Sequence, residues 1–197
     1  KIMFLHSSSE LYGSDKSLYN LIKHLDKTKF QCLVVLPEEG PLVDLINSVD
    51  GAKVVIKEIA TLRRKNLSVK GMISYIKEFF RSVIYIIRLI KENNIDIVYT
   101  NTSVVFPGAV AAKLMGKKNL WHIREIISNK IERNVISFII NIFADIIVAN
   151  SKATGEAINK NSRKVRIVYN AIQGSDNGKN HLIKNVILEF LLHLQIK

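Results

Sequence analysis

A single cysteine, Cys32, occurs in 197 residues, which excludes an intrachain disulfide and any zinc site built on cysteines. A reduced, cytoplasmic setting is the simplest reading of that usage. Metal-holding patterns on histidine are missing too: there is no H-E-x-x-H and no His/Cys cluster, so no metal is expected. No G-x-S-x-G elbow marks a hydrolase nucleophile. Neither a G-x-G-x-x-G fingerprint nor a Walker A loop occurs, which counts against both of those nucleotide-binding classes. No apolar run approaches the ~20 residues needed to cross a bilayer. The stretches Val83–Ile87 and Val135–Ile140, the latter broken by Ser137, are far shorter. The opening Lys1-Ile2-Met3-Phe4-Leu5-His6 is too short and too polar at its flanks for a signal peptide, and it reads as a first strand.

Acidic residues are also scarce. Seventeen Asp and Glu stand against 29 Lys and Arg, a formal net charge of +12. Such a balance favours anionic partners: a membrane surface, a polyphosphate or a nucleic acid. Apolar residues at 48% and charged residues at 23% fit a folded chain with one sizeable core.

Short β-branched runs alternate with longer helical patterns. The runs are 2–5, 31–36, 53–56, 96–100, 119–123, 145–150 and 166–169; helices are expected near 15–26, 41–49, 69–92, 106–115, 129–143 and 152–160. Most runs are apolar throughout rather than alternating, as in strands buried on both faces of a parallel sheet. The pattern predicts an α/β fold, a doubly wound, mainly parallel, Rossmann-like sheet over 1–172. Small residues in Gly108-Ala109-Val110-Ala111-Ala112 suit a helix lying close on the sheet, with Gly116 as its C′ residue and its strand central. Residues 173–181 are rich in Gly, Asn and Asp and read as a linker; 182–196 form a last helix candidate, so 173–197 is a docking or truncated segment.

In open α/β sheets ligands bind beyond the carboxyl ends of the strands. After the first strand comes His6-Ser7-Ser8-Ser9-Glu10-Leu11-Tyr12-Gly13-Ser14-Asp15. Gly13 permits close approach, and N–H groups at the following helix start suit a phosphate. An ordinary capped loop accounts for the same residues, with Ser14 or Asp15 as the cap. The fourth strand ends in Thr100-Asn101-Thr102-Ser103, which suits hydroxyl recognition or an ordinary turn. The fifth ends in Trp121-His122-Ile123-Arg124-Glu125. Strand alternation puts His122 and Arg124 on one side and Trp121 and Ile123 on the other. An imidazole beside a guanidinium grips an anion or a hydroxyl; the alternative is an Arg124–carboxylate pair beside a backbone-bonded histidine.

The segment 69–92 carries a second signal. At about 100° per residue, Lys70, Lys77, Arg81 and Arg88 share one stripe. Met72, Ile76, Phe79, Val83 and Ile90 form the side expected to face the core, while Ile73, Phe80, Ile84 and Tyr85 flank the basic stripe. Apolar residues beside a basic stripe suit a helix lying on an anionic membrane; a long surface helix covered by its neighbouring loop is the alternative. No nucleic-acid module is present, and nucleic acid is not expected as a partner.

Read together, several places resemble the N-terminal domain of family 4 glycosyltransferases. They are the first strand with Tyr12-Gly13-Ser14-Asp15-Lys16-Ser17, Asp96-Ile97-Val98-Tyr99-Thr100-Asn101-Thr102, Leu120-Trp121-His122-Ile123-Arg124-Glu125, Ala144–Ser151 and Val165–Asn170. The resemblance covers 1–172. It implies the acceptor-side half of a two-domain GT-B enzyme that transfers sugar with retention from a nucleotide sugar, with no metal or other cofactor. It implies that Gly13 and Ser14 lie near the donor diphosphate and that His122 lies at the transferred sugar as the catalytic residue. Glu10, Asn101, Thr102, Arg124 and Glu125 are then expected to line the acceptor cleft. The implied acceptor is a glycan or lipid-linked carrier used in cell-surface polysaccharide synthesis. Lys70, Lys77, Arg81 and Arg88 would then face an anionic membrane surface, with the protein peripheral at the inner membrane face. The family's second domain carries two glutamates eight positions apart; no two glutamates here have that spacing. A missing C-terminal domain or partner chain is therefore expected to supply the donor site, leaving this chain nearly inactive alone. Two other functions fit the sequence: a non-catalytic membrane-docking subunit of a two-chain transferase, and an unrelated α/β protein binding a small anion.

Overall fold

The computed structural model describes residues 1–63, 66, 68–159 and 163–169. The chain alternates β1 (Ile2–Leu5), α1 (Gly13–His24), β2 (Cys32–Leu36), α2 (Pro41–Asn47), β3 (Ala52–Ile56), α3 (Val69–Glu92), β4 (Ile97–Thr100), α4 (Pro107–Leu114), β5 (Lys118–Ile123), α5 (Lys130–Phe143), β6 (Ile146–Ala149), α6 (Lys152–Asn159) and β7 (Val165–Ile167). The strands form one sheet in the order β3-β2-β1-β4-β5-β6-β7, and every neighbouring pair is parallel. The expected doubly wound, Rossmann-like α/β fold is thus present, with boundaries moved by a residue or two. The linker and helix expected over 173–197, and the expected domain end at 172, lie outside the described residues.

The strand order turns back after β3, so the crossovers on either side of that point cover opposite faces of the sheet. On one face Ile2, Phe4, Val34, Tyr99 and Leu120 pack with Leu18 and Ile22 of α1 and with Leu42 and Ile46 of α2. On the other, Met3, Leu5, Val35 and Val98 meet Val83, Ile86 and Ile90 of α3. On that same face Trp121, Ile123 and Ile147 meet Ile136 and Ile140 of α5 and Ile158 of α6. Strands buried from both sides need no polar alternation, which is why the sequence shows unbroken apolar runs.

β4 is the central strand, and α4 lies tightly over it. A Cβ at Gly108 would collide with Leu5 Cδ1. The helix ends as its sequence suggests. Gly116 has φ +62°, its N–H donates to the Lys113 carbonyl at 3.2 Å, and the Lys117 N–H donates to the Ala112 carbonyl at 2.8 Å. That pair of bonds is a Schellman cap, and the positive φ is why a glycine stands there.

α3 departs from expectation. Its 24 residues run about 36 Å, whereas the five residues of β3 span about 17 Å. Only the half containing Ser82, Val83, Ile86, Leu89 and Ile90 is buried. Met72 and Ile76, expected to face the core, are 36% and 46% exposed because the first turns of the helix extend beyond the strands. Ile73, Phe80 and Ile84 are exposed as well, and so are Ile131, Val135 and Phe138 on α5. Among the described residues no helix is long and apolar enough to cross a membrane.

Candidate functional site

The register of three strands assembles the site. Leu5 pairs with Thr100 and Thr100 with Trp121. The next residues along each strand, His6, Asn101 and His122, therefore leave the carboxyl edge side by side on the α1 face. Tyr99 lies one step below, its ring edge-on to His122 at 5.9 Å. Trp121 and Ile123 point to the other face, into the α5 core, as strand alternation requires.

A continuous polar network joins these residues beneath the start of α1. His6 Nε2–H donates to Asp15 Oδ1 at 2.6 Å. Asn101 Nδ2 donates to His6 Nδ1 at 3.2 Å. Arg124 donates to Asn101 Oδ1 from Nε at 3.2 Å and from Nη2 at 3.1 Å. Arg124 Nη2 also lies 3.2 Å from His122 Nδ1, and the Tyr99 hydroxyl donates to that same nitrogen at 2.6 Å. Asn150 fixes the strand end by donating from Nδ2 to the Arg124 carbonyl at 2.9 Å.

These partners assign the proton of His122. Two donors converge on Nδ1, so Nδ1 accepts and the hydrogen sits on Nε2. Burial, then the neighbouring Arg124 charge, holds the His122 pKa well below its ordinary value. Burial pushes that of Tyr99 up. His122 is therefore a neutral imidazole at pH 7, with Tyr99 as a protonated donor behind it. Its Nε2 is buried and has no hydrogen-bond partner among the described residues; the same holds for Thr100 Oγ1 and Ser103 Oγ nearby. A buried N–H left unsatisfied is costly and uncommon in native proteins. The residue is only 3% exposed, and its ring is fixed by Tyr99 and Arg124 at Nδ1.

Asp15 is fully buried. Burial raises its pKa, but hydrogen bonds from His6, the Tyr12 N–H and Ser14 outweigh that, and the net shift is downward. The Tyr12 N–H donates to Oδ2 at 2.9 Å, Ser14 Oγ–H to Oδ1 at 3.0 Å and Ser8 Oγ–H to Oδ2 at 3.2 Å. The carboxylate is thus turned back under the helix start, away from its mouth. The N–H groups of Gly13 and Ser14, in the first turn of α1, carry no acceptor among the described residues, and a Cβ at Gly13 would meet nothing within 4 Å. Among the described residues nothing demands a glycine there.

Of the residues singled out from sequence, the structure brings His122, Asn101 and Arg124 into one network. Gly13 lies at the α1 start above it, and Ser14 beside it joins the network through its hydroxyl bond to Asp15. Thr102 is buried, and its carbonyl accepts from Trp121 Nε1 at 2.6 Å, which ties it into the core. Glu10 and Glu125 are exposed on the loops after β1 and β5. Lys70, Lys77, Arg81 and Arg88 are exposed on α3, across the sheet from His122, and Arg81 Nη1 donates to Glu78 at 2.7 Å. His6, Asp15, Tyr99 and Asn150 are members of the network that sequence reasoning did not assign to the site. Among the described residues no group of three His, Cys, Asp or Glu is placed to hold a metal ion.

Comparison with solved structures finds the same fold. HepE from Anabaena, solved with UDP-glucose, superposes with a TM-score of 0.64 at 20% identity, over 95% of this chain and 49% of HepE. A glycosyltransferase from Rickettsia africae gives 0.61 at 18% identity, over 87% and 44% of the two chains. A sucrose-phosphate synthase structure from Thermosynechococcus elongatus gives 0.64 at 12% identity, over 98% and 99%. The chain thus spans about half the length of HepE or less. No curated protein sequence matches significantly. The sequence model of Glycosyltransferase Family 4 matches residues 12–174, a span that contains α1, the β4 and β5 strand ends and His122, and the chain belongs to that family.

Proposed function

We propose that this domain is the acceptor-side half of a retaining GT-B enzyme that moves a sugar from a nucleotide sugar to a glycan or lipid-linked acceptor in cell-surface polysaccharide synthesis. The observation that carries the reading is the buried Nε2–H of His122, which has no acceptor among the described residues and stands at the carboxyl edge where α/β sheets bind ligands. Burial and the Arg124 charge keep the ring neutral, and the Tyr99 hydroxyl, bonded to Nδ1, leaves the proton on Nε2. That N–H serves as a fixed donor to a hydroxyl of the transferred sugar, not as a base. Such a donor, oriented before the reaction, stabilises the transition state without having to reorganise. The α1 start, with the open N–H groups of Gly13 and Ser14, faces the departing diphosphate. Asn101 and Arg124 position His122, while Glu10, Thr102 and Glu125 border the acceptor side. A second domain, in the same polypeptide or a partner chain, supplies most of the donor site, and residues 1–197 alone transfer poorly. No metal takes part. The enzyme works at the cytoplasmic membrane face, with Lys70 and Lys77 towards anionic lipid.

The test is transfer by the complete enzyme, both halves present, with a panel of nucleotide sugars and lipid-linked acceptors. His122→Ala is expected to lower kcat by about 10²-fold or more. It also lowers the melting temperature, because the ring is buried. His122→Gln keeps an acceptor for Tyr99 and a donor towards the sugar, and recovers part of the rate. If His122→Ala retains parental activity per folded molecule, His122 has no part in transfer.

A further inference from the structure

α3 and residues of the loop that leads into it line an open cleft of about 600 Å³ beside the edge strand β3. It lies across the sheet from His122 and shares no lining residue with the network there. The walls are pinned. Ser82 Oγ on α3 accepts the Ala60 N–H at 2.9 Å, and Asn66 Oδ1 accepts the Arg63 N–H at 2.8 Å.

Cations from both walls face this space: Lys57 and Arg63 from the loop, Arg81 and Arg88 from the helix. Two acids, Glu58 and Glu78, line it as well. Glu78 is engaged by Arg81. Lys57 Nζ stands 5.4 Å from the centre of the Tyr85 ring. Arg63 and Arg88 have no acidic partner among the described residues. Tyr75 lines the same cleft, and its hydroxyl is buried with no hydrogen-bond partner among the described residues. Burial pushes the Tyr75 pKa up to about 12, so the hydroxyl stays a donor. Ile84, also lining the cleft, is 63% exposed at its rim.

A solvated helix face accounts for cations on α3 alone. It does not account for cations converging from two elements on one open cleft, or for a buried hydroxyl without an acceptor among the described residues. Planar guanidinium forks, an ammonium and a phenolic O–H around one cleft match the oxygens of a phosphate group. We propose that this cleft binds a terminal phosphate or diphosphate group, gripped by Arg63 and Arg88 with Tyr75 as a neutral donor. The source is a lipid headgroup or a soluble phosphorylated molecule. The site is separate from the α1 start and does not depend on the transferase reading.

The experiment uses the 197-residue chain with labelled tyrosine rings. Inorganic diphosphate is titrated in, and separately vesicles of phosphatidylcholine doped with phosphatidic acid or with phosphatidylserine are added. Saturable shifts of the Tyr75 and Tyr85 resonances are expected with diphosphate. Arg63→Gln and Arg88→Gln should each weaken binding about tenfold, as loss of a charge-assisted bond does. Tyr75→Phe should weaken it less, with circular dichroism unchanged. Preference for phosphatidic acid over phosphatidylserine, with competition by diphosphate, identifies a lipid phosphate. Diphosphate binding without vesicle preference identifies a soluble ligand, and either supports the site. Binding that survives Arg63→Gln/Arg88→Gln but is lost in Gly13→Asp belongs to the α1 start and overturns the proposal, as does absence of binding to any probe.

Discussion

On the α1 face, Asp15 and Arg124 are enclosed and linked through His6 and Asn101, so that each charged group meets a donor or acceptor held in place by the strands. On the α3 face, Lys70 and Lys77 stand exposed on the helix half that rests on no strand, Arg63 on the loop before it, and Arg88 on the outer side of the packed half. The first arrangement fixes orientation and protonation and is insensitive to salt. The second leaves its charges available and is screened by salt over about 10 Å at 0.1 M. One sheet thus separates a preorganised polar site from an adaptable electrostatic surface.

The contrast breaks most severely at Asp15. Asp15→Ala leaves His6, the Tyr12 N–H, Ser8 and Ser14 without their shared acceptor inside the core, and should cost about 3 kcal/mol or more. Urea unfolding measures it, and a double-mutant cycle with His6→Ala should show strong coupling. A loss below about 1 kcal/mol would mean the enclosed network contributes little to stability.

Acid gives the next largest effect. The folded pKa of His122 is lowered, so below the unfolded value of 6.5 the unfolded chain binds a proton that the folded chain refuses. Stability from this source is present above pH 6.5 and falls as pH drops through that value, by up to about 1.4 kcal/mol per pH unit. The Asp15 pKa is also lowered, and its contribution is lost further down, as pH falls below the ordinary carboxylate value. Stability curves between pH 7 and 5 should be steeper for the parent than for His122→Asn, and equal slopes would show that the imidazole titrates freely.

On the exposed face the effects are smaller and vanish with salt. Lys70→Gln and Lys77→Gln should each weaken partition onto anionic vesicles about fivefold at low ionic strength. Sedimentation at low and high salt separates this from apolar insertion by Ile73 and Phe80. Equal binding to neutral lipid would remove the electrostatic argument. Smallest of all, Gly13→Ala should leave stability within about 0.5 kcal/mol of the parent, since its Cβ meets only open space. If transfer by the complete enzyme falls while stability holds, an external group approaches closely there.

Periodicity reads faces well and lengths badly. The apolar runs located all seven strands because both sides of the sheet are covered, and alternation put His122 with Arg124. The helical period likewise grouped Met72 and Ile76 with Val83 and Ile90, but it carries no information on where the sheet beneath α3 ends. His6 escaped notice for a different reason. Its partner Asn101 is 95 positions away, and only the pairing of Leu5 with Thr100 makes them neighbours. Both residues directly follow strands that turned out to be adjacent, a signal usable only once the strand order is known. Asp15 was legible as a possible cap; the structure instead places the N-cap at Tyr12 and Asp15 in the first turn, where its carboxylate reaches back to the Tyr12 N–H and also accepts from His6.

The interior place of β1, between β2 and β4, bears on how the domain is made. Its ladder with β2 closes early, but its ladder with β4 waits until nearly a hundred residues have been synthesised, and such non-local pairing is intrinsically slow. Until then β1 is an open edge, and the His6–Asn101 link across the two ladders cannot exist. Assembly of the polar network therefore has to follow the β1–β4 and β4–β5 pairings, and a nascent chain halted before β4 would leave one edge of β1 open to whatever chaperone or neighbouring chain meets it first.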